Sequence, residues 1–485
     1  MLSRKNDFLI RYQTLRDDLR GEILSGRIKP NEYILPENTL SQKYNLSRVS
    51  VRKVLAELVE EGLIEKITGK GNRVTIPKDG LAREKIKLAW FSSSYELNIV
   101  EEIVKRYNQS QPFAEAELTI IPESSYMESI VQLIESEDGP DVFMVSDSQF
   151  RQLLDMGKPH LLHPYLSDKM NPQEDSYPKL YELFEYEGKS IITPFLFSPV
   201  VVCYNQRLFE QAGIRGQDPI HNWTALIDTA KSCTKDTDED GRIDHYGFCF
   251  SSSPHRWPVF MLQNEGMLVS DNNECVLDHP NTIEALQFCL DLMYKEQVSP
   301  IYSHGSEYMA ESLFMKERVA MILSTYYFMN EFRGSTMQWN VCPVPEQKSE
   351  GTLLLGGGLG INKNSRRLKL TESFVDYMVG TEAQTLLKKM GCTIPALKSV
   401  AEDDTLLDPA IHPENYNVFQ EIMPYAKTLL ELKLSTSEFD LLRDEMQLMW
   451  MNIESPSEAC VRIVQLINDQ RAQAAASAKS VVEES

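Results

Sequence analysis

Between Ile86 and Val145 the sequence alternates short apolar runs with stretches of helical periodicity, and this alternation limits what the chain can fold into more than any other feature. Ile86 to Phe91, Leu118 to Ile121 and Asp141-Val142-Phe143-Met144-Val145 read as strands. Leu97, Val100, Val104 and Tyr107 in the first interval, and Met127, Ile130, Val131 and Ile134 in the second, recur at helical spacing. A βαβαβ order of this kind predicts a mostly parallel sheet with helices on both faces. It cannot be the whole molecule: the chain has 485 residues, and single cores stop growing at roughly 250–300. Two or three units are expected, and 42% apolar with 25% charged residues places them in the globular class.

The net charge of −22 conceals an asymmetry. Residues 1–80 carry 15 Lys and Arg against 11 Asp and Glu, a balance of +4, and the rest of the chain stands at −26. Only the first segment suits a polyanion, and the acidic remainder confines nucleic-acid contact to one end. The N-terminus enters a polar helical pattern without the run of about 7–15 apolar residues that a secretory signal needs. No window approaches the roughly 18 consecutive apolar residues of a membrane span. A cytoplasmic chain without membrane contact is expected. The eight cysteines (203, 233, 249, 275, 289, 342, 392 and 460) contain no C-x-x-C pair and no zinc-type spacing with His, which fits buried free thiols.

Within the basic segment, Tyr12, Leu15, Leu19 and Ile23 mark a helix that stops at Ser25-Gly26, with Pro30 beyond. A second short helix fits Glu37 to Tyr44, and Asn45-Leu46-Ser47 makes a turn with Ser47 placed as N-cap. From Arg48 a third helix puts Val51, Val54, Leu55, Leu58 and Val59 on one face. Val49, Ser50, Lys53 and Ala56 fall on the other, with Arg52 at the edge. Small and basic residues near the start of an exposed face are what entry into a major groove requires. Leu63 to Ile67 and Arg73 to Ile76 then read as two strands around the glycine-rich, basic tip Thr68-Gly69-Lys70-Gly71-Asn72.

This order of helix, helix-turn-helix and β-wing resembles the GntR family of winged-helix regulators over residues 8–76. The likeness rests on Glu22-Ile23-Leu24-Ser25-Gly26-Arg27-Ile28-Lys29-Pro30, Leu46-Ser47-Arg48-Val49-Ser50-Val51-Arg52, Glu61-Gly62-Leu63-Ile64 and Gly69-Lys70-Gly71. It implies a DNA-binding domain over 1–76. DNA contacts are implied from Ser47, Arg48, Ser50 and Arg52 and from the wing tip at Gly69 with Thr68 and Lys70; Lys53 lies on the same face. Asn38 stands where the family usually has Arg, and Val49 where it usually has Thr. A double-stranded operator bound by a homodimer is the implied partner.

After a linker at 77–85, the chain resembles the maltose-binding-protein-like solute-binding proteins, family 1. The landmarks are Gly139-Pro140-Asp141-Val142, Ile192-Thr193-Pro194-Phe195, Val202-Cys203-Tyr204-Asn205, Asp236 to Gly241 before Tyr246-Gly247-Phe248, Arg318-Val319-Ala320-Met321, Gly356 to Ile361 and Thr381-Glu382-Ala383-Gln384. The fold implied is an α/β bilobal, periplasmic-binding-protein-like (type II) domain over 86–470, following the α+β winged helix-turn-helix. The first lobe would hold about 84–197 with 352–392 and the second about 198–345 with 393–470. A small-molecule effector, a sugar by the likeness, would lie between them. Ser455 to Gln470 reads as a closing helix, and 471–485 as a disordered tail.

Ligand contacts are expected where parallel strands end at the lobe interface. The candidates are Ser93, Ser94 and Tyr95, then Asp147, Trp257, Tyr326, Tyr327, Gly357 and Gly358, because aromatic faces and a few hydrogen-bonding groups suit a sugar ring. Separately, Asp236, Asp238, Asp240 and Asp244 alternate around Gly241 as in a calcium loop, but Gly247 occupies the position of the bidentate Glu. A solvated loop braced by Asx-turns is the alternative.

Chains of this length in the GntR family often carry an aminotransferase-like domain that binds pyridoxal phosphate. No lysine here sits in a recognisable Schiff-base context. The glycines at 356–360 do not fit G-x-G-x-x-G, and there is no G-x-S-x-G, H-E-x-x-H or P-loop. No enzyme and no cofactor is therefore expected. The two alternatives are that aminotransferase-like fusion and a binding protein without DNA function.

Overall fold

The computed structural model describes residues 2–75, 83–170, 175–215, 220–253, 255–301 and 309–483. Helix α1 (Leu2–Leu24) buries Leu15, Leu19 and Ile23 along one stripe and ends as Gly26 turns to φ 74°. The Tyr12 hydroxyl donates to Glu57 over 2.6 Å, fixing α1 to α3 (Arg48–Glu60), which follows α2 (Glu37–Lys43). The wing is an antiparallel pair, β1 (Ile64–Ile67) and β2 (Gly71–Val74), in register Ile64 to Val74. Gly69 and Gly71, at φ 76° and 109°, turn its tip in a region L residues rarely adopt. Ile76, expected to end the second strand, and linker residues 77–82 lie outside the described residues. Glu84 and Lys85, assigned to that linker, are already strand.

The larger domain begins with β3 (Glu84–Phe91), α4 (Leu97–Ser110), β4 (Ala114–Ile121), α5 (Tyr126–Glu135), β5 (Val142–Ser146) and α6 (Asp147–Asp155). The three strands are parallel, with β3 central. Two long strands, β6 (Thr193–Asn205) and β9 (Thr352–Asn362), pair antiparallel with each other. The β9 strand joins β5, and β6 joins β8 (Val319–Thr325), which is parallel to β7 (Tyr246–Cys249). The resulting order is β7-β8-β6-β9-β5-β3-β4. Two hydrophobic cores sit on this sheet: one under β3 to β5 that is continuous with the winged helix, and one built from α-helical segments around Phe260, Leu286, Trp450 and Ile463.

The division of chain between cores differs from the expected lobes: Ala310, Phe314, Tyr326 and Phe332, expected in the second lobe, pack in the first core, and so does the stretch after residue 392. In that stretch Ile394, Ala396, Phe419 and Ala426 join the first core, and only from Leu429 does the chain return to the second. The reason there is pairing: Ile394 and Pro395 bond to the N-terminal half of β6, at Phe197 and Leu196. The expected disordered tail is also corrected. A helix over Pro456–Glu483 runs through it, and Arg471 pairs with Glu438 at 2.5 Å while donating to the carbonyls of Asn273 and Lys433. All eight cysteines are buried, and none is in a disulfide. Among the described residues, no helix is long and apolar enough to cross a membrane.

The winged helix is docked on the first core. Helix α1 packs on the helix Leu368–Met378, with Gly21 against Lys369 so closely that a Cβ at 21 would lie 2.7 Å from that of the lysine. Ser373 donates to the Ser25 carbonyl, and Arg27 pairs with Asp376 at 3.3 Å. Arg20 holds Glu61 at the end of α3 (2.9 Å) and Glu84 at the start of β3 (2.5 Å). Glu84 also receives Arg367, which reaches Asp141.

Candidate functional site

The nucleic-acid face is set by how α3 is capped. Ser47 accepts the backbone N–H of Ser50 (3.1 Å), one of the donors that a helix start leaves unsatisfied. The cap leaves Arg48, Val49, Arg52 and Lys53 exposed on the first turns, with Val49 at 64%. Asn38 on α2 and Thr68, Gly69 and Lys70 at the wing tip are exposed as well. Arg52 is held by Glu37 at 2.8 Å.

Two positions on α3 differ from expectation. Ser50, expected on the DNA face, is 8% exposed and bonds Ser47 with its hydroxyl (2.9 Å). Val59, expected in the core, is 40% exposed. The buried stripe is centred on Val54 and Leu58. At about 100° per residue it takes in Ser50, four residues before Val54, and turns Val59 out.

The second site is a cleft of about 420 Å³ where the C-terminal ends of β3, β5, β7 and β8 meet, a size usual for small-molecule sites. Ser93, Ser94 and Tyr95 enter after β3, Asp147 opens α6 after β5, and Tyr327 and Phe328 follow β8. Ser251, Ser253, His255 and Arg256 face them from the loop after β7, and Glu311 from the helix Met309–Met315. Ser94 accepts the Trp90 indole N–H and donates to Glu96 (both 2.9 Å), and Tyr95 meets Phe328 edge-on at 6.0 Å. The Tyr327 hydroxyl donates to the Leu355 carbonyl (3.1 Å).

Burial sets the electrostatics. It pushes the Asp147 carboxyl up to about 6, against the Gly356 backbone N–H and the Arg151 charge that favour the anion. Burial also raises Glu311, opposed by Arg256 at 3.9 Å, and raises Glu96 despite hydroxyl donors from Thr393 and Ser94. His255 is pushed down to about 4 by burial and by Arg256 and Arg151, so it is neutral at physiological pH. Asp147 Oδ2 and Glu311 Oε2 are buried without a hydrogen-bond partner.

Of the expected contacts, Ser93, Ser94, Tyr95, Asp147 and Tyr327 line the cleft. Trp257 instead belongs to the second core, 1% exposed and edge-on to Trp450. Tyr326 is fully buried and donates to the Tyr416 carbonyl (2.7 Å). Gly357 and Gly358 serve packing of β9, since a Cβ at 357 would lie 2.0 Å from Met144 Cε and one at 358 would lie 2.8 Å from the Thr193 carbonyl. Gly356 lines the cleft in their place. Sequence reasoning missed Glu96, His255, Arg256 and Glu311. The polar run Ser251 to Arg256 after an apolar strand carried the signal that identified Ser93 to Tyr95; nothing in the sequence marked Glu311.

In the acidic loop, ligand-type oxygens of Asp236, Asp238 and Asp240 lie within 4.8 Å of one another. Asp236 and Asp240 accept backbone N–H groups from Gly241 and Arg242 (both 2.8 Å). Asp244 is turned to Thr237 and His245, whose hydrogen bonds hold its carboxyl well below the usual range, with Arg318 at 3.6 Å. The side chains thus gather three of the roughly six to eight oxygens that calcium takes.

A winged helix seated on a two-lobed sheet with a cleft at its strand ends defines a solute-binding protein with an attached DNA-binding module. The chain belongs to the bacterial extracellular solute-binding protein family, whose model matches residues 93–385, and its residues 11–74 match the gntR family of bacterial regulatory proteins. It is 34% identical over 143 residues to an uncharacterized HTH-type transcriptional regulator, YurK, of Bacillus subtilis, covering 28% of this chain and 56% of that one. It is 22% identical over 305 residues to an arabinooligosaccharide-binding protein of Halalkalibacterium halodurans, covering 59% and 66%. The chain therefore spans less than two thirds of either relative. An ABC substrate-binding protein of Listeria monocytogenes, solved with cycloalternan, shares the fold with a TM-score of 0.66 at 20% identity, covering 81% of this chain and all of that one.

Proposed function

We propose that the protein is a cytoplasmic transcriptional regulator that binds a DNA operator as a homodimer and senses a saccharide in its cleft. The observation that carries this reading is the seating of a winged helix on one half of a two-lobed cleft domain, through Arg20, Gly21, Ser25 and Arg27. A reader fixed to one lobe changes its relation to the other lobe when the cleft closes about its hinge. In a dimer that rotation alters the spacing of two recognition helices, and operator affinity changes with it. Arabinooligosaccharide and cycloalternan, named for a relative and a structural neighbour, are both saccharides, and the mix of aromatic and hydroxyl groups in this cleft suits that class.

The aminotransferase-like alternative loses its place in the chain, because residues 93–385 match the solute-binding model. The deciding experiment combines a thermal-shift screen against mono- and oligosaccharides with anisotropy titration of DNA flanking the coding region. A sugar that raises Tm and changes DNA affinity by roughly 5–150-fold is the expected result. Absence of salt-sensitive DNA affinity, or of any stabilising saccharide, would overturn it.

A further inference from the structure

The cleft is more acidic than a neutral ligand requires. Among the described residues, four carboxylates line it, those of Glu96, Glu123, Asp147 and Glu311, against one guanidinium, that of Arg256. Arg256 donates to the His255 carbonyl (3.0 Å) and stays 3.9 Å from Glu311. A second guanidinium, Arg151, lies behind Asp147, but it donates to the carbonyls of Leu429 and Leu434 and rests on the Phe439 ring at 4.5 Å. His255 is neutral and adds no charge. Asp147 and Glu311 come from opposite sides, are 6% and 5% exposed, and each keeps one oxygen without a partner.

Building on the reading of this cleft as a saccharide site, we propose that its ligand is a saccharide bearing a protonated amine. A neutral sugar hydroxyl offers these carboxylates a hydrogen bond but no charge. Closure over it would strip water from two anions and leave them uncompensated, a costly arrangement in a buried site. An ammonium group supplies donor and charge together, the stronger kind of hydrogen bond. The aromatic rings of Tyr95, Tyr327 and Phe328 around the same space favour a cation over their faces. The alternative that balances charge is a neutral sugar bound together with a proton taken up by Asp147 or Glu311.

The test uses the full chain at pH 7 and sets of sugars that differ only in one substituent: glucosamine, N-acetylglucosamine and glucose, and chitobiose, its N,N′-diacetyl form and cellobiose. Thermal shift and calorimetry should show an amine member binding at least about tenfold more tightly than its hydroxyl partner. Asp147→Asn and Glu311→Gln should each lose that preference while retaining a cooperative melt. Calorimetry of the neutral members, repeated in buffers of different ionisation enthalpy, tests the rival in which Asp147 or Glu311 takes up the proton. Equal or tighter binding of a neutral member, with or without that proton uptake, or an amine preference that survives in both variants overturns the amine and leaves the saccharide reading standing. If no sugar, charged or neutral, stabilises the chain, the saccharide reading falls as well.

Discussion

Arg20 donates to Glu84 over 2.5 Å, and this bond crosses from the winged helix into the first strand of the solute-binding domain. The same guanidinium holds Glu61, the residue that caps the recognition helix. One side chain therefore touches the end of the reader and the start of the sheet. Both pairs are about a third exposed, so each contributes no more than about 1 kcal/mol. Their value is positional.

Loosening that junction should uncouple reader from sensor. Gly21→Val drives a side chain into Lys369, and combined with Arg20→Ala it should split calorimetric unfolding into two transitions. DNA affinity without ligand should stay within about threefold, a change under 1 kcal/mol, while its response to ligand shrinks. A full response in the double variant would place the coupling elsewhere.

The inward turn of Ser50 separates it from its neighbours. Arg48→Ala, Arg52→Ala and Lys53→Ala should each weaken operator binding and lower the salt slope by about 1 where a phosphate contact is lost. Ser50→Ala should leave both unchanged, because its hydroxyl is bonded to Ser47. Ser47→Ala should cost about 0.5–2 kcal/mol of stability through the lost cap. Titrations at two salt concentrations with a denaturation curve for each variant check the set.

Tyr95 and Trp257 should part company. Tyr95→Ala opens the cleft wall and should weaken ligand response with little change in Tm. Trp257→Ala leaves a void beside Trp450 in the second core and should cost about 3–5 kcal/mol. Urea denaturation alongside ligand titration distinguishes them.

The buried Asp147 makes stability depend on pH with a defined sign. Its carboxyl is at about 6 in the folded chain against an ordinary 3.8, so between those values the folded state keeps a proton that the unfolded state has lost. Stability therefore falls as pH rises from about 4 to about 6, then levels. Asp147→Asn should exceed the parent at pH 7.5 by up to about 3 kcal/mol, and the gap should close below pH 4. His255, held at about 4 against 6.5, has the opposite slope: its neutral form supports folding above 6.5 and that support is lost toward 4. It is present in both proteins, so the difference between their pH curves isolates Asp147.

The reader was legible from sequence nearly residue by residue, because Leu15, Leu19, Val54 and Leu58 keep strict helical spacing and Gly26 and Gly69 mark turns that need positive φ. The strands and helices from Glu84 to Ser146 were legible for the same reason. What failed depended on contacts distant in sequence. Trp257 and Arg256 are adjacent, and only the packing of Trp450, nearly two hundred residues on, decides which faces the cleft. Gly357 carries no local sign that Met144 fills the space above it. Residues beyond 470 have little apolar surface of their own, and their helix is tied down by Glu438, a partner from another segment.

The paths of β6 and β9 govern the order in which the molecule can be made. Both cores lean on these strands, which begin at Thr193 and Thr352, so neither half of the clamshell is complete until the ribosome has passed both. The winged helix is contained in the first 75 residues, with its wing paired within itself and its core running on into the first core of the larger domain. If the chain works as proposed above, the part that grips DNA is synthesised well before the part that answers the ligand, and a chain broken off early would lack the means to respond.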